Sequence, residues 1–425
     1  MQLFHFLVVI TSLSCGSLPA ADSGVTRPLL ATTALVGLWS MLAHLGSRMI
    51  AKQVAIDELD PHMGARWLEK QLEIFRWMSL LVIVLCLAGF GLARTLDSIP
   101  VLMDSMLLQS IVLLAPGLIM TVATWSAEHR YGVQLGYTQP GLSNHVGSLW
   151  LSFRSGLAWL VAPVVLLLGI SDLIALLPIT PAVAGWSTAA VVLFFIVLGL
   201  PLLIRRLFKT EPIDTETQRW MEELMLAAGV KGTKPIRWNT GQTAFNAMVA
   251  GFVARWRTLL LSDRLLDQLP RDQIAMVVLH EAAHLRRKHV PMRMLAVLPA
   301  WIAGMLVSQI AGESTWAMPL GTVAGILLTM LILRIVAYRS EFDADVQACM
   351  LAEKIAATVD DVPSSYDAAC ESLSAALMRV TSDQPASRKP TWLHPGVTDR
   401  VDWMRRHRAM PHNNTASAGT IANPA

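Results

Sequence analysis

Eight stretches of this chain run with few or no charges for close to the length of a membrane span: 1–20, 29–50, 77–95, 106–125, 149–171, 184–204, 292–311 and 317–336. A helix of ~20 apolar residues crosses a hydrocarbon core of ~30 Å. In lipid every backbone polar group must be satisfied within the protein, so such runs fold as helices. The composition agrees: 54% of the residues are hydrophobic and only 15% are charged, against about 25% charged in soluble domains. The net charge of +3 gives no reason to invoke nucleic acid. Cys15, Cys86, Cys349 and Cys370 lack paired spacing and read as free thiols. The first stretch lacks the basic start of a secretory signal, although small residues follow it, and it reads as a retained helix.

Lys and Arg set the expected orientation. Lys52, Arg66, Lys70 and Arg76 lie in one loop, Arg205, Arg206 and Lys209 follow the sixth span, and Arg286, Arg287, Lys288 and Arg293 cluster at the start of the seventh. Loops 96–105, 172–183 and 312–316 carry neither residue. Eight spans place these sets on opposite sides, with 205–291 and everything from 337 onward facing the cytoplasm. Only Arg27 opposes the trend. The membrane part shows no paired buried acids or bases of the kind transporters use. Asp172 and His44 read as interfacial.

Between the sixth and seventh spans the pattern becomes that of a folded domain. Glu216 to Ala228 is an amphipathic helix closed by Gly229. Pro235–Trp238, Phe245–Phe252 and Arg257–Ser262 read as strands. A helix is expected from about Pro270 through His289, carrying VVLHEAAHLRRKHV at 277–290. Residues 341–380 read as helical again, and Pro385, Ser387 and Pro390 break that pattern.

Within the helix, His280 and His284 are one turn apart on one face. Two such imidazoles can reach one tetrahedral Zn²⁺, and Glu281, offset by one residue, projects beside the ion. A chance H-E-x-x-H in a chain with eleven histidines is on the order of one per cent. The apolar lead-in from Ile274 to Leu279 is too short to be a span, so an intramembrane site is disfavoured. A third ligand is required. Glu341 and Asp345, four apart on a helix, offer one, against the plainer reading of an acidic helix start.

His280-Glu281-x-x-His284, two hydrophobic segments, then Arg339-x-Glu341-Phe342-x-Ala344-Asp345 resemble the membrane-integrated zinc metallopeptidases of the HtpX and CAAX prenyl protease type, which are gluzincins of metallopeptidase family forty-eight. Phe245-Asn246-Ala247 ahead of the zinc helix and His394-Pro395-Gly396-Val397-Thr398-Asp399-Arg400 near the end complete the resemblance, which covers roughly 210–405. Gly396 stands where a second proline is common, and six spans precede the catalytic part where HtpX-like members have two. The resemblance implies a polytopic α-helical membrane protein with a zincin-like α+β cytoplasmic catalytic domain split by two transmembrane helices. Its expected parts are a membrane domain (1–204), a cytoplasmic part with the H-E-x-x-H (205–291), two spans (292–336), a cytoplasmic part with the third ligand (337–408) and a disordered tail (409–425).

It further implies a zinc metalloendopeptidase of the plasma (inner) membrane. One Zn²⁺ per chain would be held by His280, His284 and Glu341, with Glu281 as general base. His394 would stabilise the oxyanion. Asn246 and Arg400 would help bind substrate or the transition state, and Asp345 would be hydrogen-bonded to a zinc-bound imidazole. The partners would be the bilayer and polypeptide substrates that are cytoplasmic or membrane-associated, with protein quality control as a setting. A zinc-protease-type signal transducer would need a sizeable outer sensor, and the longest expected outer loop is about twelve residues. A catalytically inactive scaffold would not need an intact Glu281.

Overall fold

The computed structural model describes residues 2–20, 24–242, 244–251, 253–382 and 388–408. The expected tail at 409–425, Phe252, Pro385 and Ser387 lie outside the described residues. The chain divides into two compact units, Met1–Phe208 with Ala300–Leu328, and Lys209–Pro299 with the chain from Thr329 onward.

The first unit opens with α1 (Gln2–Ser14), α2 (Thr26–Ala55), α3 (Pro61–Val84), the short α4 (Pro100–Met103) and α5 (Met106–Gln134). It continues with α6 (Leu142–Gly156), α7 (Ala158–Ala175), α8 (Pro181–Phe194) and α9 (Leu200–Leu207). Among the described residues, seven helical stretches are long and apolar enough to cross a membrane: Thr26–Ala55, Pro61–Ser98, Met106–Gln134, Ala158–Ala175, Pro181–Leu207, His289–Ile310 and Ala317–Ile355. The chain is a polytopic α-helical membrane protein. The first apolar stretch is shorter, Leu3–Ser17, and packs Phe4, Val8 and Cys15 into a core with Trp39, Ile83 and Leu113. The expected span at 149–171 starts later. The helix breaks at Leu157 (φ −123°, ψ −32°), and α6 before it carries Asn144, His145 and Arg154. The guanidinium of Arg154 donates to the carbonyls of Arg206, at 2.8 Å, and Leu207.

The second unit is built on a four-stranded sheet of order β1-β2-β4-β3. β1 (Thr210–Glu211) pairs antiparallel with β2 (Lys234–Trp238), β2 runs parallel to β4 (Thr258–Ser262), and β4 is antiparallel to β3 (Ala247–Ala250). β3 is therefore an edge strand, shorter than the expected 245–252. Between β1 and β2 lies α10 (Thr215–Ala227), capped by the Asp214 carboxylate on Thr217 N–H at 2.9 Å and closed by Gly229 at φ +81°. After β4 come α11 (Asp263–Gln268), α12 (Arg271–Arg286) and α13 (His289–Leu295). The expected single helix through His289 is thus two. Lys288 adopts φ +54°, ψ +38°, a left-handed conformation in which an α-helix of L-residues cannot continue.

α14 (Leu298–Ile310) and α15 (Ala317–Ile355) follow, then α16 (Tyr366–Val380) and α17 (Val397–Arg408). The expected helical run over 341–380 is interrupted after Ile355, where Asp361 sits at φ +58° and Pro363 follows. A Cβ on Gly304 of α14 would stand 2.7 Å from the Gly321 carbonyl oxygen of α15, so small residues let the two backbones touch. The sheet packs on the helices through one core that joins Met221, Leu224, Leu259, Leu261, Val278, Leu279, Ala344, Ala348, Leu373 and Met404. Leu259, Leu260 and Leu261 are wholly buried, which fits a strand covered on both faces.

Candidate metal centre

The helical rise of α12 places His280 and His284 on one face, as their spacing requires. Their Nε2 atoms are 3.1 Å apart. α15 brings Glu341 against them: its Oε1 is 3.5 Å from His284 Nε2 and its Oε2 is 3.7 Å from His280 Nε2. Donor atoms of these three residues all lie within 4.8 Å of one another, and the group could hold a metal ion. Ligand atoms on a tetrahedral zinc with bonds of about 2.0–2.2 Å are separated by roughly 3.3–3.6 Å. Two imidazoles and a carboxylate at these separations fit that ion without rearrangement of the backbone.

A shell of charge surrounds the three. The Nδ1 of His280 is 2.9 Å from Asp345 Oδ1. Asp345 is fully buried and accepts twice from Arg400, at 2.7 Å from Nε and 2.6 Å from Nη2. Such a bidentate pair is the strong form of an ion pair. Arg400 also lies 3.7 Å from Glu341, and His394 Nδ1 is 3.2 Å from Glu341 Oε2. Burial disfavours a charge on His280, but Asp345 and Glu341 outweigh it and raise its pKa to about 9. His284 moves the other way, to about 2, through burial and the neighbouring His280. Burial pushes the Glu281 carboxyl up to about 7. The carboxylates of Glu341 and Asp345 close around the two imidazoles, an arrangement that favours a positive charge there.

These residues line a cleft of about 270 Å³. Its floor is His280, Glu281, His284 and Glu341, and Asn246, His394 and Arg400 also line it. Its apolar walls come from Phe245, Leu265, Val277, Leu373, Leu377 and Val380. Asn246 is fixed by its backbone: its N–H donates to Ser262 Oγ at 3.0 Å and its carbonyl accepts from Ser262 N–H at 2.9 Å. The loop of His394 is tied to α15, since Tyr338 Oη donates to the Thr391 carbonyl at 2.6 Å. Gly396 suits its place, because a Cβ there would come within 3.0 Å of Asp399 Oδ2 and 3.3 Å of the Arg388 carbonyl.

All eight expected site residues therefore converge in one unit. Arg400 lines the cleft beside Glu341 while its guanidinium pairs with Asp345. The sequence reading missed Arg293, whose Nη2 donates to Glu341 Oε1 at 3.0 Å. It counted there only as a cation flanking a span. It also missed the partners of Arg286 and Arg287. Arg286 donates to the Ala228 carbonyl at 2.6 Å and Arg287 to Asp343 at 2.8 Å, so both are fastened within this unit.

A helix-borne pair of imidazoles and a carboxylate from a second helix form a group that could hold a metal ion, with a further acid beside them. Residues 213–406 match the model of Peptidase family M48, and over that stretch the chain carries an M48 peptidase domain, set in a polytopic membrane protein. No curated protein matches the sequence. Among solved structures, the crystal structure of S. mikatae Ste24p is similar over 90% of this chain and 99% of that chain, with 15% sequence identity and a TM-score of 0.49.

Proposed function

We propose that the protein is a membrane-bound, zinc-dependent endopeptidase that cleaves cytoplasmic or membrane-protein segments, with one Zn²⁺ held by His280, His284 and Glu341. The observation that carries this reading is the 3.1–3.7 Å spacing of their donor atoms around a cleft that also exposes Glu281. When bound, the zinc lowers the pKa of water toward ~7 and polarises the scissile carbonyl. Glu281 takes the proton of the attacking water on its carboxylate and delivers it to the leaving amine. His394, more than half exposed, is the donor for the developing oxyanion. Asp345, held by Arg400, orients His280 through its Nδ1.

Substrate lies extended along the free edge of β3, where main-chain hydrogen bonds register the chain with little sequence preference. Asn246, just before that strand, faces the same cleft. The apolar walls take the side chains that flank the scissile bond. The distribution of Lys and Arg supports a cytoplasmic site, and we place the protein in the plasma membrane. The test is zinc content and casein cleavage by detergent-purified protein. Glu281→Gln keeps one zinc and loses 10²–10⁴-fold in kcat, the ordinary range for a general base. Full activity in that variant would refute the assignment. Glu341→Ala loses the metal, and unchanged zinc occupancy would remove Glu341 from the ligand set.

A further inference from the structure

A zinc-bound imidazole is held in one orientation by the partner of its other nitrogen. For His280 that partner is a carboxylate, Asp345. For His284 it is another histidine. The Nδ1 atoms of His284 and His289 are 2.8 Å apart, and His289 Nε2 is 3.0 Å from Asp343 Oδ2. Asp343 is in turn gripped by Arg287, through Nε at 2.8 Å and Nη2 at 3.3 Å. His289 is buried, with 3% of its surface exposed.

The proton order in this chain follows from its two ends. If His284 offers Nε2 to the metal, its proton is on Nδ1. The Nδ1 of His289 must then accept, which leaves the His289 proton on Nε2, facing the Asp343 carboxylate. Every donor meets an acceptor, and no group is left over. The backbone is shaped for this contact. On a continuous helix, a residue five positions after His284 would point about 140° away from it. The left-handed Lys288 breaks the helix and returns His289 to the face of His284.

We propose that His289 is a positioning residue for the metal centre, linking the ligand His284 to the Asp343–Arg287 pair. It fixes the tautomer and ring plane of His284 without touching substrate. The inference rests on His280, His284 and Glu341 being the metal ligands.

The test uses the full-length protein in detergent, with zinc affinity measured by competition against a chelator. The wild type binds one zinc. His289→Ala lowers that affinity by about 10- to 100-fold, and saturating zinc restores activity with KM unchanged. His289→Gln, whose amide oxygen can accept and whose amide nitrogen can donate, recovers most of the loss. Asp343→Asn weakens zinc in the same direction by a smaller factor. A wild type that binds one zinc with His289→Ala within about twofold of it would overturn the proposal. A wild type that binds none would overturn the ligand assignment itself. Melting of the zinc-free proteins separates misfolding from lost positioning. If His289→Ala does not fold, Asp343→Asn and His289→Gln decide. A weakened first and a retained second support the relay, whereas two unchanged affinities refute it.

Discussion

In the membrane unit most buried hydroxyls turn back on their own helix, Thr32 and Ser126 excepted, while in the peptidase unit the buried carboxylates reach across the fold. Thr121 donates to the Gly117 carbonyl at 2.8 Å, Thr124 to Thr121 at 2.6 Å and Ser79 to Arg76 at 2.7 Å. The longer contacts there include Gln71, which donates to the Ala43 carbonyl at 3.3 Å. Asp172 caps the start of α5 by accepting from Ser105 Oγ and from the N–H groups of Met106 and Leu107. Ser126 bridges His44 and His145 at 3.0 and 3.2 Å. In the peptidase unit Asp345 meets Arg400 across 55 residues of sequence, and Ser372 meets Asp272 across 100. Local satisfaction leaves each helix self-sufficient in lipid. Long-range satisfaction makes one group's removal a defect in several elements at once.

The largest effect that would break this contrast if absent is at Arg400. Arg400→Met leaves the fully buried Asp345 without its ion-pair partner, and stability of the peptidase unit should fall by about 3–5 kcal/mol in denaturant unfolding. A loss below 1 kcal/mol would show that the buried network is no more demanding than the membrane hydroxyls. A smaller effect is expected at Asp263. Burial opposes its ionisation, but Thr240 Oγ1 and the N–H groups of Gln242, Thr240 and Arg264 hold its carboxyl below the usual range. Asp263→Ala should cost about 1–3 kcal/mol. A depressed folded pKa gives stability that is complete above the unfolded value of ~3.9. That stability is lost as pH falls through the folded value. Acid unfolding of the variant should therefore be flatter than that of the wild type below pH ~4. The smallest change is Thr121→Val in the membrane unit, expected to alter thermal stability by less than about 1 kcal/mol. A larger loss would mean that these hydroxyls also act across helices.

Much of this was legible before any coordinates. The membrane helices follow from apolar length, and the imidazole pair follows from i and i+4 spacing on a helix. Glu341 and Asp345 share a face for the same reason, which is why Glu341 lies against both imidazoles and Asp345 against His280. Strands β2 and β4 carry the expected β-rich runs. What was hidden depends on non-periodic events. β1 has only two residues, too few for any pattern. The break at Lys288 has no glycine to announce it, so His289 was assigned to a continuing helix and its contact with His284 was invisible. Arg293 and Asp343 take their roles only once that break has set the direction of α13. The first apolar stretch is helical only over Leu3–Ser17, shorter than its apolar composition suggested, because composition alone does not fix where a helix ends.

The short edge of β3 has a kinetic consequence. Four residues offer an antiparallel neighbour about four main-chain hydrogen bonds, because only alternate residues point outward. At ~1 kcal/mol net each, an extended chain gains roughly 4 kcal/mol there, which corresponds to a Kd of about 1 mM. A chain cut in the middle keeps only part of that grip on either side. On the substrate path proposed above, fragments would leave quickly, and repeated turnover would not be slowed by product clinging to the sheet.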